Sequence, residues 1–156
     1  MKYPVNLKDK YAYLIQLHYE RPLYHDMISI TSSDDANHAF RKLFLKEQLS
    51  LKEFFGVLLL TQSNRLLGGS IVAMGSTTGV LVNIKEIFQL ALLTNASGII
   101  VGHNHPSGSL NISANDREQT DKILRLGKLM GITLLDHIII TTEAYQSFAN
   151  EGLLHK

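Results

Sequence analysis

The chain has no cysteine and no tryptophan, only three prolines, and no glycine before Gly56. Without cysteine there is no disulfide, no thiolate metal ligand and no thiol nucleophile. That excludes zinc nucleoside deaminase chemistry, whose ligand set needs cysteines. No uninterrupted apolar stretch approaches the ~18 residues of a membrane span, and Met1-Lys2-Tyr3-Pro4 leads into no apolar signal core. A soluble, cytoplasmic protein without a membrane partner is the expectation. A dominant charge sign is also missing: the net charge is +1, and the lysines and arginines are scattered. Strong non-specific nucleic-acid binding needs a basic face. What is present is ordinary globular composition, 45% hydrophobic and 19% charged, over 156 residues. That length suits one domain with a hydrophobic core.

Against this background one segment stands out, His103-Asn104-His105-Pro106-Ser107-Gly108, followed by Ser113 and Asp116. Two imidazoles, a hydroxyl and a carboxylate fall within fourteen positions. Zinc in hydrolytic sites takes imidazole nitrogens and a carboxylate oxygen, with a fourth position left for water. Gly98 to Gly102 reads as a short buried strand that ends at the first histidine. Residues two apart on an extended chain point the same way, so His103 and His105 can converge on one ion. Pro106 biases His105 towards an extended conformation. The candidate ligands are thus His103, His105 and Asp116, where a strand end meets a helix start, the usual place for a cleft in an α/β fold. Each part also has a plainer explanation. Ser113 to Asp116 is a serviceable capping box, and a His-x-His pair can simply satisfy local hydrogen bonds.

Along the chain, residues 11–19 are rich in aromatic and branched side chains and predict a strand that ends at Pro22. Ser33-Asp34-Asp35 opens a helix with Ala36, Ala39, Phe40, Leu43 and Phe44 on one face. Phe54 to Thr61 is a strand buried on both faces, and Asn64-Arg65 turns it into a second strand, Leu66 to Ala73. Gly75 to Gly79 lacks the Gly-Lys-Ser/Thr of a phosphate loop and reads as a mobile loop beside the cleft. Asn83 to Glu86 predicts a capping box for a helix that buries Ile84, Ile87, Phe88 and Ala91. A helix from Ser113 is expected to bury Ile123, Leu126, Leu129 and Met130, with Gly131 as its C-terminal cap. Ile132 to Thr141 reads as a strand, and Tyr145 to Leu154 as a short closing helix. Only one of the neighbours Asp136 and His137 can face the cleft; either local burial or orientation of a metal ligand would account for it. The order β-α-β-β-α-β-α-β-α argues for a mixed sheet between helices.

The spacing H-x-H-P-x(6)-S-x(2)-D resembles the JAMM motif of the JAB/MPN metalloprotease superfamily. The flanking runs G-I-I-V-G-H-N-H-P-S-G and L-L-D-H-I-I-I are similar to its bacterial RadC branch, over roughly residues 33–154. The resemblance implies a three-layer α/β/α fold with a mixed central sheet, like that of cytidine deaminase. It implies one JAB/MPN-type domain over 1–156, with residues 1–32 as an N-terminal extension packing on the core. It also implies a Zn2+ ion on His103, His105 and Asp116, an oxyanion-assisting Ser113, and Glu53 as the upstream carboxylate that acts as base. Read from the residues alone, Glu53 is equally a solvent-exposed carboxylate flanking a strand. Two departures from common members, Ser109-Leu110-Asn111-Ile112-Ser113 and Lys85-Glu86-Ile87, touch no proposed ligand and bear on substrate fit. RadC-type proteins carry a DNA-repair label, and full-length relatives place a helix-hairpin-helix module before this domain. With no glycine before Gly56, that hairpin has no place in this chain.

The function these residues imply is hydrolysis of a peptide or isopeptide amide, with a peptide or protein tail as substrate partner. A non-catalytic MPN-like scaffold, or a DNA-repair-associated binding module, is the alternative; the complete ligand set argues against it. A metal-dependent nuclease would show more carboxylates and a basic path for the strand. Oligomeric state leaves no trace in the sequence.

Overall fold

The computed structural model describes residues 18–75 and 81–154. In chain order its main elements are α1 (Ser33–Leu43), β1 (Phe54–Leu60), β2 (Leu66–Met74), α2 (Ile84–Leu93), β3 (Gly98–Asn104), α3 (Ala114–Met130), β4 (Thr133–Ile140) and β5 (Tyr145–Ser147). The five strands form one sheet in the order β2-β1-β3-β4-β5. Only the β3–β4 pair is parallel, with α3 as its crossover, so the sheet is mixed.

Strand parity explains the layers. Phe55, Val57 and Leu59 join a buried cluster with Ile87, Phe88 and Ala91 of α2 and Ile123 of α3. Their neighbours Phe54, Leu58 and Leu60 join a second cluster with Ala36, Ala39 and Phe40 of α1. Successive strand residues point to opposite faces, so the sheet is covered by α1 on one side and by α2 and α3 on the other. This is the α/β/α arrangement expected, and it accounts for the unbroken apolar run in β1.

Helix α1 begins where the sequence indicated, with Ser32 as its cap. Ser32 Oγ accepts from Asp35 N–H at 3.1 Å, and Asp35 Oδ2 accepts from Ser32 N–H at 3.0 Å. Its aromatic side chains reach the sheet because two cross-strand partners, Gly56 and Gly102, carry no side chain. A Cβ on Gly102 would stand 2.7 Å from the Phe40 ring, and one on Gly56 would stand 2.9 Å from the Phe44 ring. Burying Phe40 completely contributes roughly 1.5–3 kcal/mol. The glycine slot that permits it lies immediately before His103.

Four expectations need correction. In α3 the buried residues are Asp116, Thr120, Ile123 and Gly127, one stripe at helical spacing. Leu126, Leu129 and Met130 instead face outward, 36%, 84% and 46% exposed. Polar residues hold the buried stripe because their partners lie on the sheet. Asn83 stands at the start of α2 but makes no side-chain capping bond, so that capping box is absent. Residues 145–154 do not form a helix: Tyr145–Ser147 pairs with β4, and Asp136 accepts from Ser147 Oγ at 2.6 Å and from Ala149 N–H at 2.9 Å. Those bonds draw the segment along the strand edge instead. The element order consequently ends on a strand. The strand expected over residues 11–19 and the loop over 75–79 lie largely outside the described residues. Of the N-terminal extension, Met27 and Ile30 are described and buried in the core. Among the described residues no helix is long and apolar enough to cross a membrane.

Candidate metal centre

His103 is the second-last residue of β3, on the same side as Ile99 and Val101, and it is 1% exposed. The Phe55 ring stacks on it with centroids 5.8 Å apart. His105 lies just past the strand, where its N–H donates to Ile140 O at 2.9 Å and continues the pairing with β4. The chain then turns sharply: Gly108 N–H donates to His105 O at 3.1 Å, and Gly108 has φ +79°, which a side chain would resist. This turn places Ser109 O 2.7 Å from His105 Nδ1. A carbonyl only accepts, so the His105 proton sits on Nδ1 and its Nε2 presents a lone pair.

That lone pair points at other electron-rich atoms. His105 Nε2 is 2.9 Å from His103 Nε2. Asp116 places Oδ1 3.3 Å from His103 Nε2 and Oδ2 3.8 Å from His105 Nε2. One ligand atom from each of the three residues lies within 4.8 Å of the others. Acceptors brought this close repel unless a cation stands among them, and two imidazoles with a carboxylate form a donor set that suits a divalent metal. The residues therefore fit a metal ion.

The capping explanation of Ser113 and Asp116 holds at the same time. Asp116 Oδ2 accepts from Ser113 N–H at 2.8 Å and Ser113 Oγ–H at 2.6 Å, while Ser113 Oγ accepts from Asp116 N–H at 3.1 Å. One carboxylate oxygen thus serves the helix start and leaves Oδ1 towards His103. Burial alone would raise the Asp116 pKa, but the bond and charge that His103 supplies whenever its Nε2 also carries a proton, and the two bonds from Ser113, outweigh it. The carboxyl is held well below the usual range and stays ionised.

Glu53 directly precedes β1. The register Phe55↔His103, carried two residues further, brings Glu53 level with His105, and the period of two puts both on the Phe55 side. Glu53 is half-buried, and burial raises its pKa; His103 and His105 pull it down, and the Asp116 charge raises it again. Glu53 therefore feels all three candidate ligands. An apolar cavity of about 630 Å³, lined by Leu124, Ile132, Leu134 and Leu154 among others, shares no residue with this cluster.

The sequence from residue 30 to residue 153 matches the family described as the RadC-like JAB domain. The chain belongs to the RadC-like JAB domain family. Its relatives include a UPF0758 protein of Flavobacterium johnsoniae, 39% identical over 124 residues, covering 80% of this chain and 53% of that protein. A UPF0758 protein of Thermosynechococcus vestitus is 46% identical over 95 residues, covering 61% and 38% respectively. One from Staphylococcus haemolyticus is 34% identical over 129 residues, covering 83% and 55%. The chain spans about half the length of these curated relatives, or less.

Two features of this JAB domain were not read from its sequence. Asn104, between the two histidines, is fully buried on the α1 side. Its Oδ1 accepts from Phe54 N–H at 2.7 Å, and its Nδ2 donates to Leu49 O and Lys52 O, both at 2.8 Å. Asn104 therefore clamps the peptide groups on either side of Glu53. A lone amide in an otherwise apolar strand was the available signal. The other feature is Thr120, one turn beyond Asp116 on the same buried stripe. Of the pair weighed at 136 and 137, His137 faces the cluster, with Nε2 2.8 Å from His103 Nδ1. Asp136 faces away and holds the chain after β5.

Proposed function

We propose that this JAB domain is a metal-dependent amide hydrolase, with zinc held by His103, His105 and Asp116 and Glu53 as the general base. The observation that carries the reading is the convergence of three acceptor atoms within 4.8 Å, beside a fourth residue, the half-buried carboxylate Glu53. With no thiolate in the chain, the nitrogen and oxygen donors suit zinc in its three-ligand hydrolytic form. Zinc in such a site would supply Lewis acidity, bringing the pKa of a bound water down to about 7 and polarising a carbonyl.

The chain's own groups do the rest. Glu53, its pKa raised by burial, accepts a proton from the attacking water and returns it to the departing amine. Asp116 stays charged, so it does not compete with Glu53 for that proton. Ser113 Oγ–H serves the tetrahedral oxyanion only by releasing Asp116 Oδ2, an exchange that a cation favours by drawing charge from the carboxylate. One such donor is worth about 3 kcal/mol of barrier. The substrate class is a peptide or isopeptide bond in an extended protein tail. A net charge of +1 offers little to a phosphate backbone, which sets the nucleic-acid-binding alternative behind.

Elemental analysis followed by a peptide-library cleavage screen tests the proposal. Wild type should hold one zinc and cleave; Glu53→Ala should keep zinc and lose turnover; His105→Ala should lose both. Cleavage by Glu53→Ala at the wild-type rate removes Glu53 as base. Zinc without cleavage of any tail turns the reading towards a metal-stabilised scaffold.

A further inference from the structure

Behind the candidate ligands lies a buried hydrogen-bonded chain, His103–His137–Thr120, that returns to the backbone of Asp116. Its protons can be placed one at a time. Thr120 Oγ1 lies 2.6 Å from Asp116 O and 2.7 Å from His137 Nδ1. The hydroxyl has one proton and a carbonyl can only accept, so that proton goes to Asp116 O. Thr120 must then accept from His137, which places a proton on His137 Nδ1. The His137 ring is fully buried and stacked on Phe148, with centroids 4.6 Å apart. Among the described residues its ring nitrogens touch only Thr120 and His103, and no carboxylate bonds to them. A doubly protonated ring there would bury an unpaired charge, so the ring is neutral. Its Nε2 therefore carries a lone pair, directed at His103 Nδ1 at 2.8 Å. His103 must donate from Nδ1, so in its neutral form the ring's single proton sits there and Nε2 turns a lone pair towards His105 and Asp116.

We propose that Thr120 and His137 are positioning residues that set the tautomer of His103, so that its Nε2 faces the metal site as a lone pair. The chain starts on one candidate ligand and ends on the backbone of another, tying His103 to the first turn of α3. Functionally this rests on the reading of His103 as a metal ligand; the proton placement itself does not. Without Thr120 Oγ1, the Nδ1–H form of His137 buries an unsatisfied donor. The ring then favours the Nε2–H tautomer, which donates to His103 Nδ1 and moves the His103 proton to Nε2, where it opposes a cation. The effect on affinity should be that of other outer partners of metal-binding histidines, about 10- to 100-fold.

The test uses the full chain. Long-range 1H–15N spectra of 15N-histidine-labelled, metal-free wild type should show both His103 and His137 as Nδ1–H tautomers. Thr120→Val, which keeps the side chain's shape, should shift both towards Nε2–H and weaken zinc binding about 10- to 100-fold in competition with a chromophoric chelator. Thr120→Ser, which restores the hydroxyl, should return both readouts to wild type; a purely steric role for Thr120 would not produce that pattern. A neutral His103 that carries its one proton on Nε2 in the wild type overturns the proposal whatever the variants do. So does a folded Thr120→Val that binds zinc within twofold of wild type. If wild type binds no zinc while the tautomers stand as described, the metal-centre reading fails and the proton chain survives.

Discussion

Asn104→Ala is the perturbation that most directly asks whether the candidate base is held in place by the strand that carries the candidate ligands. The side chain makes three bonds, at 2.7, 2.8 and 2.8 Å, to Phe54 N–H, Leu49 O and Lys52 O. At a net ~1 kcal/mol per bond the loss begins near 3 kcal/mol, and orphaned buried peptide groups at ~1–3 kcal/mol each carry it towards about 5. A domain of this size has only about 5–15 kcal/mol in hand, so the variant should fold but with little margin. With a urea slope of about 2 kcal/mol/M, the unfolding midpoint should fall by about 1.5–2.5 M. Asn104→Asp makes the argument sharper. It keeps an acceptor for Phe54 N–H but sets a carboxylate oxygen against two carbonyl oxygens, so it should be less stable than Asn104→Ala at pH 7. A midpoint change under about 0.3 M for Asn104→Ala, or Asn104→Asp outlasting it in urea, would refute the clamp.

Three further outcomes follow from the same structure. Burial holds Glu53 above its ordinary 4.5, against the pull of His103 and His105 and with Asp116 adding to it. A raised folded pKa contributes stability at low pH that is lost as pH rises through it. Metal-free Glu53→Gln should therefore melt above wild type at pH 7 and match it below the ordinary value; equal melting at both pH values contradicts the burial. Gly127→Ala would gain about 1 kcal/mol of helix propensity, but its Cβ would stand 2.3 Å from Ile132 O. Backbone overlap outweighs propensity, so the variant should be destabilised by about 2 kcal/mol in denaturant melts, and a more stable variant refutes the contact. Zinc at a thousandfold its dissociation constant should stabilise the protein by about 4 kcal/mol, read as a rise in Tm that His105→Ala abolishes.

The convergence of the candidate ligands was legible because it is local. His103, His105 and Asp116 lie within fourteen residues, and the two-residue period of a strand and the capping geometry of a helix start aim them without help from distant segments. The two-sided burial of β1, the β1–β2 hairpin and the left-handed cap at Gly131 were legible for the same reason. Asn104, Thr120 and the direction of His137 were not, since each acquires meaning only from partners 50, 17 and 34 residues away. The buried face of α3 was misjudged on the same ground. Apolarity marks Leu126, Leu129 and Met130 for the core, yet the helix turns Asp116 and Thr120 inward, because their hydrogen bonds are completed by residues of the sheet. Short-range geometry, which the chain carries in its own order, determined what could bind. Which side chains support the site was decided by tertiary packing, because a buried polar group is stable only where the fold brings it a partner.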